Sequence, residues 1–287
     1  MTSKTYHLGI IGHPLGHTLS PQLQTAFLKQ AGLSGIYEVW DTVPEDLPEM
    51  IKTLKQHAID GFNVTIPYKT RIMPLLDEID PLAKAIGAVN TVVISSKGLQ
   101  GFNTDCDGFW DSLPPSLQQN IVGSKVILLG AGGAARAVGA AMIRGGAQSL
   151  VLVARNLDQA AQTRAVLNAC AALLSENPPK ISLLPYQAFD GSQCGAIINT
   201  TPVGMSGDLL AMPLTLSQIR SLPDSAWVID LIYKPHPTQF LKLAQAQGYA
   251  TLDGLGMLLH QGALAFTHWT GVTLPQTCMD NIFRQFA

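Results

Sequence analysis

The sequence predicts an α/β protein of two domains, and three observations support this. Its 287 residues exceed the usual size of one compact core, which favours two domains. Hydrophobic residues make up 47% of the chain and charged residues only 13%, a balance that suits a large buried interior. Strand-like runs alternate with helical runs along the chain, and this alternation predicts mostly parallel sheets covered by helices.

The first alternation occupies roughly the first hundred residues. The strands are predicted at 7–12, 36–43 and 61–67. The helices are predicted at 20–32 and 44–57, with Ser20 as the N-cap and Pro21 at the first helical position. Two further strands, 88–94 and 99–103, are predicted to form a hairpin that ends this region.

A second alternation follows the segment 113–123, which contains Pro114-Pro115 and is predicted to be an irregular connector. Its strands are predicted at 125–130, 149–155, 180–184, 196–201 and 227–231. Helices are predicted at 133–145, 157–174 and 254–271. We therefore expect a first domain of residues 1–107, completed by C-terminal helices from 254–287, and a Rossmann-type second domain of residues 108–253.

Composition argues against several classes of partner. The net charge is −2 with no basic block, so nucleic acid is not an expected partner. No apolar stretch approaches the ~20 residues that span a membrane, and the N-terminus lacks the pattern of a secretory signal. The four cysteines show no C-x-x-C spacing, which indicates reduced thiols and a cytoplasmic protein. We expect no metal site, because His13 and His17 have no third ligand at a suitable spacing.

A glycine-rich loop joins the predicted strand 125–130 to the following helix. Its sequence, Gly130-Ala131-Gly132-Gly133-Ala134-Ala135, fits the dinucleotide pattern G-x-G-x-x-G/A. The first glycine permits a tight turn, the second lets a pyrophosphate approach the backbone, and the helix start offers free N–H groups. The loop predicts a bound dinucleotide; the alternative is an ordinary tight turn.

The end of the next strand indicates which dinucleotide binds. NAD-binding folds commonly place a carboxylate there to bind the ribose hydroxyls, but this chain has Ala154-Arg155-Asn156. Arg155 favours the 2′-phosphate of NADP, since a guanidinium binds phosphate through paired, charge-assisted hydrogen bonds. The nearby Asp158 and the absence of a second basic residue leave NAD as an alternative.

Polar clusters stand where the first region has predicted strand ends or loops, at 17–21, 63–69, 87–91 and 103–105. Each cluster alone has a structural explanation. Ser20 is a plausible helix cap, Asn90 a turn residue, and Asp105 the N-cap of the next segment.

Together the clusters resemble the shikimate dehydrogenase family over nearly the whole chain, in the family's order. The matching motifs are Gly12-x-Pro14-x-x-His17-Thr18-x-Ser20-Pro21, Asn63-Val64-Thr65-x-Pro67-x-Lys69, Gly87-Ala88-x-Asn90-Thr91, Gly101-x-Asn103-Thr104-Asp105, Gly130-Ala131-Gly132-Gly133-Ala134, Asn199-Thr200-Thr201-Pro202-x-Gly204-Met205, Asp230-x-x-Tyr233-x-Pro235-x-x-Thr238 and Gly254-x-x-Met257-Leu258-x-x-Gln261.

The resemblance implies a reversible, NADPH-dependent reduction of 3-dehydroshikimate to shikimate in aromatic amino acid biosynthesis, by a monomer or homodimer. Lys69 and Asp105 match the family's catalytic pair. The positions that match its substrate-binding residues are Thr18, Ser20, Asn63, Thr65, Asn90, Tyr233 and Gln261. Those that match its cofactor-binding residues are Gly130, Ala131, Gly132, Gly133, Ala134, Arg155, Asn199, Thr200, Met205 and Gly254. The expected active site lies in a cleft between the domains.

Elementary chemistry agrees with the catalytic pair. Hydride delivery to a ketone builds negative charge on its oxygen, so a nearby cationic acid such as Lys69 stabilises the charge and supplies a proton. The alternative for Lys69 and Asp105 is a structural salt bridge. Thr18 stands where the family usually has serine, which leaves quinate open as a substrate. Two other functions also remain open, an NAD-linked quinate/shikimate dehydrogenase and a non-catalytic metabolite-binding regulator.

Overall fold

The structure, a computed structural model, describes residues 4–16 and 18–286. His17, which belongs to the first motif, lies outside the described residues. Contacts divide the chain after Gly108 and before Leu259. The first unit is built from both ends of the chain, and the second is Phe109–Leu258.

The N-terminal segment carries a six-stranded mixed sheet. Its elements are β1 (Thr5–Gly12), α1 (Ser20–Gln30), β2 (Ser34–Asp41), α2 (Leu47–Gln56), β3 (Gly61–Val64), β4 (Glu78–Ile79), α3 (Pro81–Ile86), β5 (Thr91–Ser95), β6 (Gly98–Phe102) and α4 (Asp105–Asp111). The strand order is β2-β1-β3-β5-β6-β4. Only β5 is antiparallel to its neighbours, so the predicted hairpin is part of this sheet.

The second unit contains a wholly parallel sheet. Its elements are α5 (Pro115–Ile121), β7 (Lys125–Leu129), α6 (Gly133–Arg144), β8 (Ser149–Ala154), α7 (Leu157–Leu174), β9 (Lys180–Pro185), β10 (Cys194–Asn199), α8 (Leu216–Arg220), β11 (Trp227–Asp230), α9 (Gln239–Ala246) and β12 (Ala250–Leu252). The order β12-β11-β10-β7-β8-β9 is that of a Rossmann-type sheet. The helices α10 (Leu255–Thr270) and α11 (Gln276–Phe286) end the chain. The predicted fold class is confirmed.

The predicted connector at 113–123 is wrong, because most of it is α5. Proline is compatible with the first turn of a helix, where its missing N–H has no intrahelical partner, and Pro115 is the first residue of α5. Leu117 and Ile121, four residues apart, are both fully buried. Their spacing was the helical signal that the two prolines obscured.

The chain returns to the first unit later than the sequence indicated. Residues 254–258 group with the second unit, although the predicted boundary was 254. A Cβ at Gly254 would lie 1.9 Å from the Leu231 carbonyl oxygen, and one at Gly256 would lie 3.2 Å from the Ser112 side chain. These two close approaches attach the start of α10 to the second unit.

Helix packing in both units follows the burial of apolar faces. In the first unit, α2 buries Leu47, Ile51 and Leu54, the spacing of one helical face. In the second unit, Gly139 of α6 lies against Leu167 of α7, which lets the two helices approach closely. Among the helices within residues 4–16 and 18–286, none has both the length and the apolar character that a bilayer crossing requires.

Candidate active site

Three chain segments lie together at one end of the central strands of the first sheet. Asn63, near the end of β3, is paired with Thr91 at the start of β5, and Thr91 is paired with Phe102 at the end of β6. Because β5 is antiparallel to both neighbours, its first residue lies beside the last residues of β3 and β6. The segments that follow β3, precede β5 and follow β6 therefore lie together at the same end of these strands. These segments carry Lys69, Asn90 and Asp105.

Lys69 and Asp105 form an ion pair in which Lys69 Nζ lies 2.6 Å from Asp105 Oδ2. The Asp105 side chain is 7% exposed and the Lys69 side chain 22%, so the ammonium remains accessible while the carboxylate is buried. The second carboxylate oxygen accepts a hydrogen bond of 2.9 Å from Asn90 Nδ2. The Lys69 backbone is also fixed, since its carbonyl accepts a 2.7 Å hydrogen bond from the Val89 N–H.

Asn90 is buried and forms hydrogen bonds with several side chains, so it is not simply a turn residue. Its Nδ2 also donates to Thr104 Oγ1 at 2.9 Å and to Gln261 Oε1 at 3.3 Å. Its Oδ1 accepts from the Thr104 backbone N–H at 2.8 Å. Asn90 therefore links the loop before β5, the loop after β6 and helix α10. Thr104, which belongs to the motif Gly101-x-Asn103-Thr104-Asp105, joins this network although the sequence does not predict it as a site residue.

The N-terminus of α4 is capped by Asn103, whose Oδ1 accepts from the Cys106 N–H at 3.2 Å. The alternative role of Asp105 as a simple cap therefore has no support, because both carboxylate oxygens are bound to other side chains. Asp105 is the first residue of α4. The helix start presents its carboxylate to Lys69.

The predicted helix cap at Ser20 is wrong. The N-cap of α1 is Leu19, which makes no side-chain capping bond, and Ser20 is the first helical residue. The Thr18 hydroxyl donates to Ser20 Oγ at 3.1 Å, and the Ser20 N–H donates to Thr18 Oγ1 at 3.2 Å. The two hydroxyls therefore lie side by side at the start of α1, where the helix dipole favours a negative charge.

Asn63 and Thr65 lie near the end of β3. Asn63 is buried, and its Nδ2 donates to the Asn90 carbonyl at 3.2 Å and to Thr91 Oγ1 at 3.3 Å. Thr65 is half-buried, and its N–H bonds the Ile11 carbonyl at 3.0 Å. The Asn90 network thus reaches Gln261 directly, Lys69 through Asp105, and Asn63 through the Asn90 backbone. Tyr233 is half-buried in the second unit, beyond the end of β11.

The glycine-rich loop between β7 and α6 makes a tight turn and leaves its backbone open at the start of α6. Gly130 has a φ of +110°, and a Cβ there would lie 2.7 Å from Thr200 Oγ1. A Cβ at Gly132 or Gly133 would meet no atom within 4 Å, so the backbone is open to a ligand at the start of α6. Unpaired N–H groups and the positive end of the helix dipole favour an anion at this position.

The other predicted cofactor residues lie around the same sheet edge in different environments. Ala131 is buried, and its carbonyl accepts from Thr163 Oγ1 at 2.8 Å. Arg155 is exposed just after β8. Met205, which is 46% exposed, lies in the loop after β10. Thr200 Oγ1 donates to the Leu129 carbonyl at 2.7 Å, which ties that loop to β7.

Asn199, the last residue of β10, forms hydrogen bonds that fix the start of the loop after this strand. It is fully buried, and its Nδ2 donates to Asp230 Oδ1 at 2.9 Å. Its Oδ1 accepts from the Thr201 N–H at 3.0 Å and from Thr201 Oγ1 at 2.6 Å. The amide is committed to the protein, so its support of a cofactor is indirect. Gly254 is likewise a packing glycine, placed against Leu231.

Burial raises the pKa of Asp230 to about 6, although hydrogen bonds from Thr238, Ile232 and Asn199 oppose the shift. The folded protein therefore holds this proton more tightly than the unfolded chain does. Its contribution to stability is complete at low pH and is lost as the pH rises from about 4 to about 6. In the unaltered protein, the ionisation of Asp230 should lower the unfolding free energy by about 3 kcal/mol between about pH 4 and pH 6. We expect Asp230→Asn to lack this decrease, because asparagine does not ionise. Urea titration at several pH values measures the unfolding free energy.

An exposed carboxylate in the same unit provides the control for this experiment. Asp224→Asn should leave the pH dependence of the unfolding free energy as it is in the unaltered protein. Parallel pH profiles for the unaltered protein and Asp230→Asn would contradict the prediction.

Comparison with known proteins gives matches at both ends of the chain and along its length. The family model described as shikimate dehydrogenase substrate binding domain matches residues 10–92, and that described as shikimate 5′-dehydrogenase C-terminal domain matches residues 254–281. The shikimate dehydrogenase (NADP(+)) of Shouchella clausii is 40% identical, with 98% of each chain covered. This chain belongs to the shikimate dehydrogenase family.

Solved structures of shikimate dehydrogenases have the same fold. The enzyme of Aquifex aeolicus matches with a TM-score of 0.85 and 33% identity, covering 99% of each chain. The shikimate 5-dehydrogenase of Thermus thermophilus, in complex with NADP(H) and shikimate, matches with a TM-score of 0.82 and 33% identity over 98% of this chain and 100% of its own. The resemblance inferred from the motifs is confirmed.

Proposed function

We propose that this chain catalyses the reversible reduction of 3-dehydroshikimate to shikimate with NADPH. The single observation that carries the proposal is the 2.6 Å contact between Lys69 and Asp105, on a carboxylate that Asn90 also binds. Family membership supports the same reaction, because the relatives named above are shikimate dehydrogenases. Quinate/shikimate oxidation with NAD is the close alternative.

In this proposal Lys69 is the general acid of the reduction. NADPH supplies the hydride when bound. The ammonium of Lys69 stabilises the negative charge that develops on the ketone oxygen and transfers a proton to it. Asp105 holds the ammonium in place, and in the reverse direction the neutral amine of Lys69 receives the proton of the alcohol at the same position. Asn90 fixes the carboxylate of Asp105 through its other oxygen.

The remaining polar groups of the first unit bind the substrate in this proposal. The Thr18 hydroxyl, which donates to Ser20 in this structure, rotates when substrate binds, so that both hydroxyls donate to the carboxylate. Ring hydroxyls require groups that both donate and accept, and amides and hydroxyls meet that requirement. The residues assigned to the ring are Asn63, Thr65, Asn90 and Gln261. We assign Tyr233 to the substrate pocket as well.

The second unit binds the dinucleotide in this proposal. Its phosphates lie on the loop from Gly130 to Ala134, where Gly132 and Gly133 leave the backbone open. Arg155 binds the 2′-phosphate of NADP. The loop of Thr200 and Met205 completes the site, and the buried Asn199 and the closely packed Gly254 support it from within the second unit. We further propose a cytoplasmic location, with which the four free cysteines of the described chain agree, and a monomeric or homodimeric state.

A two-by-two assay of NADP and NAD against shikimate and quinate tests the proposal. The expected result is the highest kcat/KM with shikimate and NADP. Arg155→Gln should raise KM for NADP by about 10- to 100-fold and leave KM for NAD unchanged, because only NADP carries the phosphate that the guanidinium binds.

Arg220→Gln, which changes an arginine of α8 bonded to Gln247, is the matched control and should change neither KM. A higher kcat/KM for quinate with NAD would instead establish the alternative substrate and cofactor. Binding of both ligands without turnover would identify a non-catalytic regulator.

A further inference from the structure

Tyr37 places its hydroxyl beside the substrate residues from the outer edge of the first sheet. It lies on β2, the edge strand, and β1 separates it from β3. Its hydroxyl donates a 2.7 Å hydrogen bond to Asn63 Oδ1. The phenol ring is tilted against the indole of Trp269, with centroids 6.3 Å apart. Because the half-buried ring is held on one side by Trp269, the hydroxyl has a defined position.

The orientation of the Asn63 amide follows from its neighbours. One neighbour is the Asn90 carbonyl, which only accepts hydrogen bonds, so the NH₂ group must face it at 3.2 Å. The other hydrogen of the NH₂ group points to Thr91 Oγ1 at 3.3 Å. Both donors of Asn63 are therefore engaged within the protein. Oδ1 faces Tyr37 and keeps one lone pair for another donor.

The Tyr37 hydroxyl keeps its proton, which it needs in order to donate to Asn63. Burial raises the pKa of Tyr37 well above its usual value of 10, although a hydrogen bond with Ser20 opposes the shift. The phenol thus remains protonated at neutral and moderately alkaline pH and remains a donor. The donor that Tyr37 directs at Asn63 Oδ1 is therefore present throughout the pH range of an activity assay.

We propose that Tyr37 is a positioning residue of the substrate site, whose hydroxyl locks the Asn63 amide so that Oδ1 receives a hydrogen bond from a substrate hydroxyl. Tyr37 acts through Asn63 and does not itself take part in the chemistry. The locked amide selects for a hydroxyl over a carbonyl oxygen at the ring position that it meets, because a carbonyl has no hydrogen to donate. This inference rests on the proposed function of the same site.

Tyr37→Phe removes the hydroxyl and keeps the ring against Trp269. We expect KM for shikimate to rise about 10-fold, which corresponds to the loss of one neutral hydrogen bond, while kcat and KM for NADP⁺ stay within about twofold. The melting temperature should change by only a few degrees. In an Asn63→Ala background, the same substitution should have little further effect on KM, since the group through which Tyr37 acts is gone.

Tyr6→Phe is the control, because the Tyr6 hydroxyl bonds the Thr270 carbonyl in the same unit, away from Asn63. It should leave KM for shikimate unchanged. An unchanged KM in Tyr37→Phe, or effects of Tyr37→Phe and Asn63→Ala that simply add, would overturn the inference. A Tyr37→Phe protein that no longer folds would overturn it too, because the hydroxyl would then be a structural group. Absence of shikimate turnover in the unaltered protein would instead refute the proposed function.

Discussion

Lys69→Ala is expected to lower kcat with shikimate and NADP⁺ by about 10³-fold, within the range that a positioned acid–base group contributes. The variant loses both the charge that stabilises the developing oxyanion and the proton that neutralises it. Binding of NADP⁺, followed by quenching of protein fluorescence, should persist, because the glycine-rich loop belongs to the second unit. Steady-state assays in both directions measure kcat.

Lys55→Ala provides a matched control for the loss of an ion-paired lysine. Lys55 Nζ lies 2.9 Å from Asp77 Oδ2 in the same unit. Exposed pairs of this kind contribute little to stability, so Lys55→Ala should retain full turnover. If Lys69→Ala retained its kcat and lost only thermal stability, the pair with Asp105 would be a structural salt bridge and the catalytic assignment would be refuted.

The second unit was predictable because its local signals agree with one another. The apolar run of β7, the glycine-rich loop and the small residues of α6 each indicate the same strand–turn–helix unit. The failures came where one residue type has two structural uses. Pro115 starts a helix rather than ending one, and Ser20 lies inside the first turn rather than capping it.

The motifs name the polar residues that the hydrogen-bond network of the first unit joins, but they do not predict which of these residues bond to each other. The hydrogen bond from Asn90 to Gln261 joins residues 171 positions apart, and no local pattern specifies such a contact. The sequence does not predict a functional role for Tyr37, because tyrosine is common in β-strands of every kind. Its role depends on which face of β2 it occupies and on the alignment of β2 with β1 and β3.

Asn199 illustrates the limit of carrying residues over from a motif. The motif places it in the loop that faces the cofactor, yet its amide is buried between Asp230 and Thr201. Burial of a polar side chain is favourable only when its hydrogen bonds are satisfied, and here the protein satisfies them. Sequence alone does not distinguish a residue that binds a ligand from one that holds the loop which does.

Asp105→Asn is expected to lower kcat by about 10²-fold with little change in folding, because the carboxamide has the shape of the carboxylate. The Asn90 NH₂ group still finds an oxygen acceptor at this position, whereas Lys69 now faces an NH₂ group or an uncharged oxygen. The ammonium loses its charged partner and its fixed place. Turnover should therefore fall, while KM for NADP⁺ remains near its original value.

The double variant tests whether Lys69 and Asp105 act together in the same step. Groups that work together in a single step give strongly non-additive losses, so Lys69→Ala combined with Asp105→Asn should reduce kcat no more than Lys69→Ala alone. Asp111→Asn, an exposed carboxylate at the end of the same helix α4, should have no effect on kcat. Losses that multiply in the double variant would mean that Asp105 supports turnover by a route independent of Lys69, and the role of Asp105 in positioning the Lys69 ammonium would be wrong.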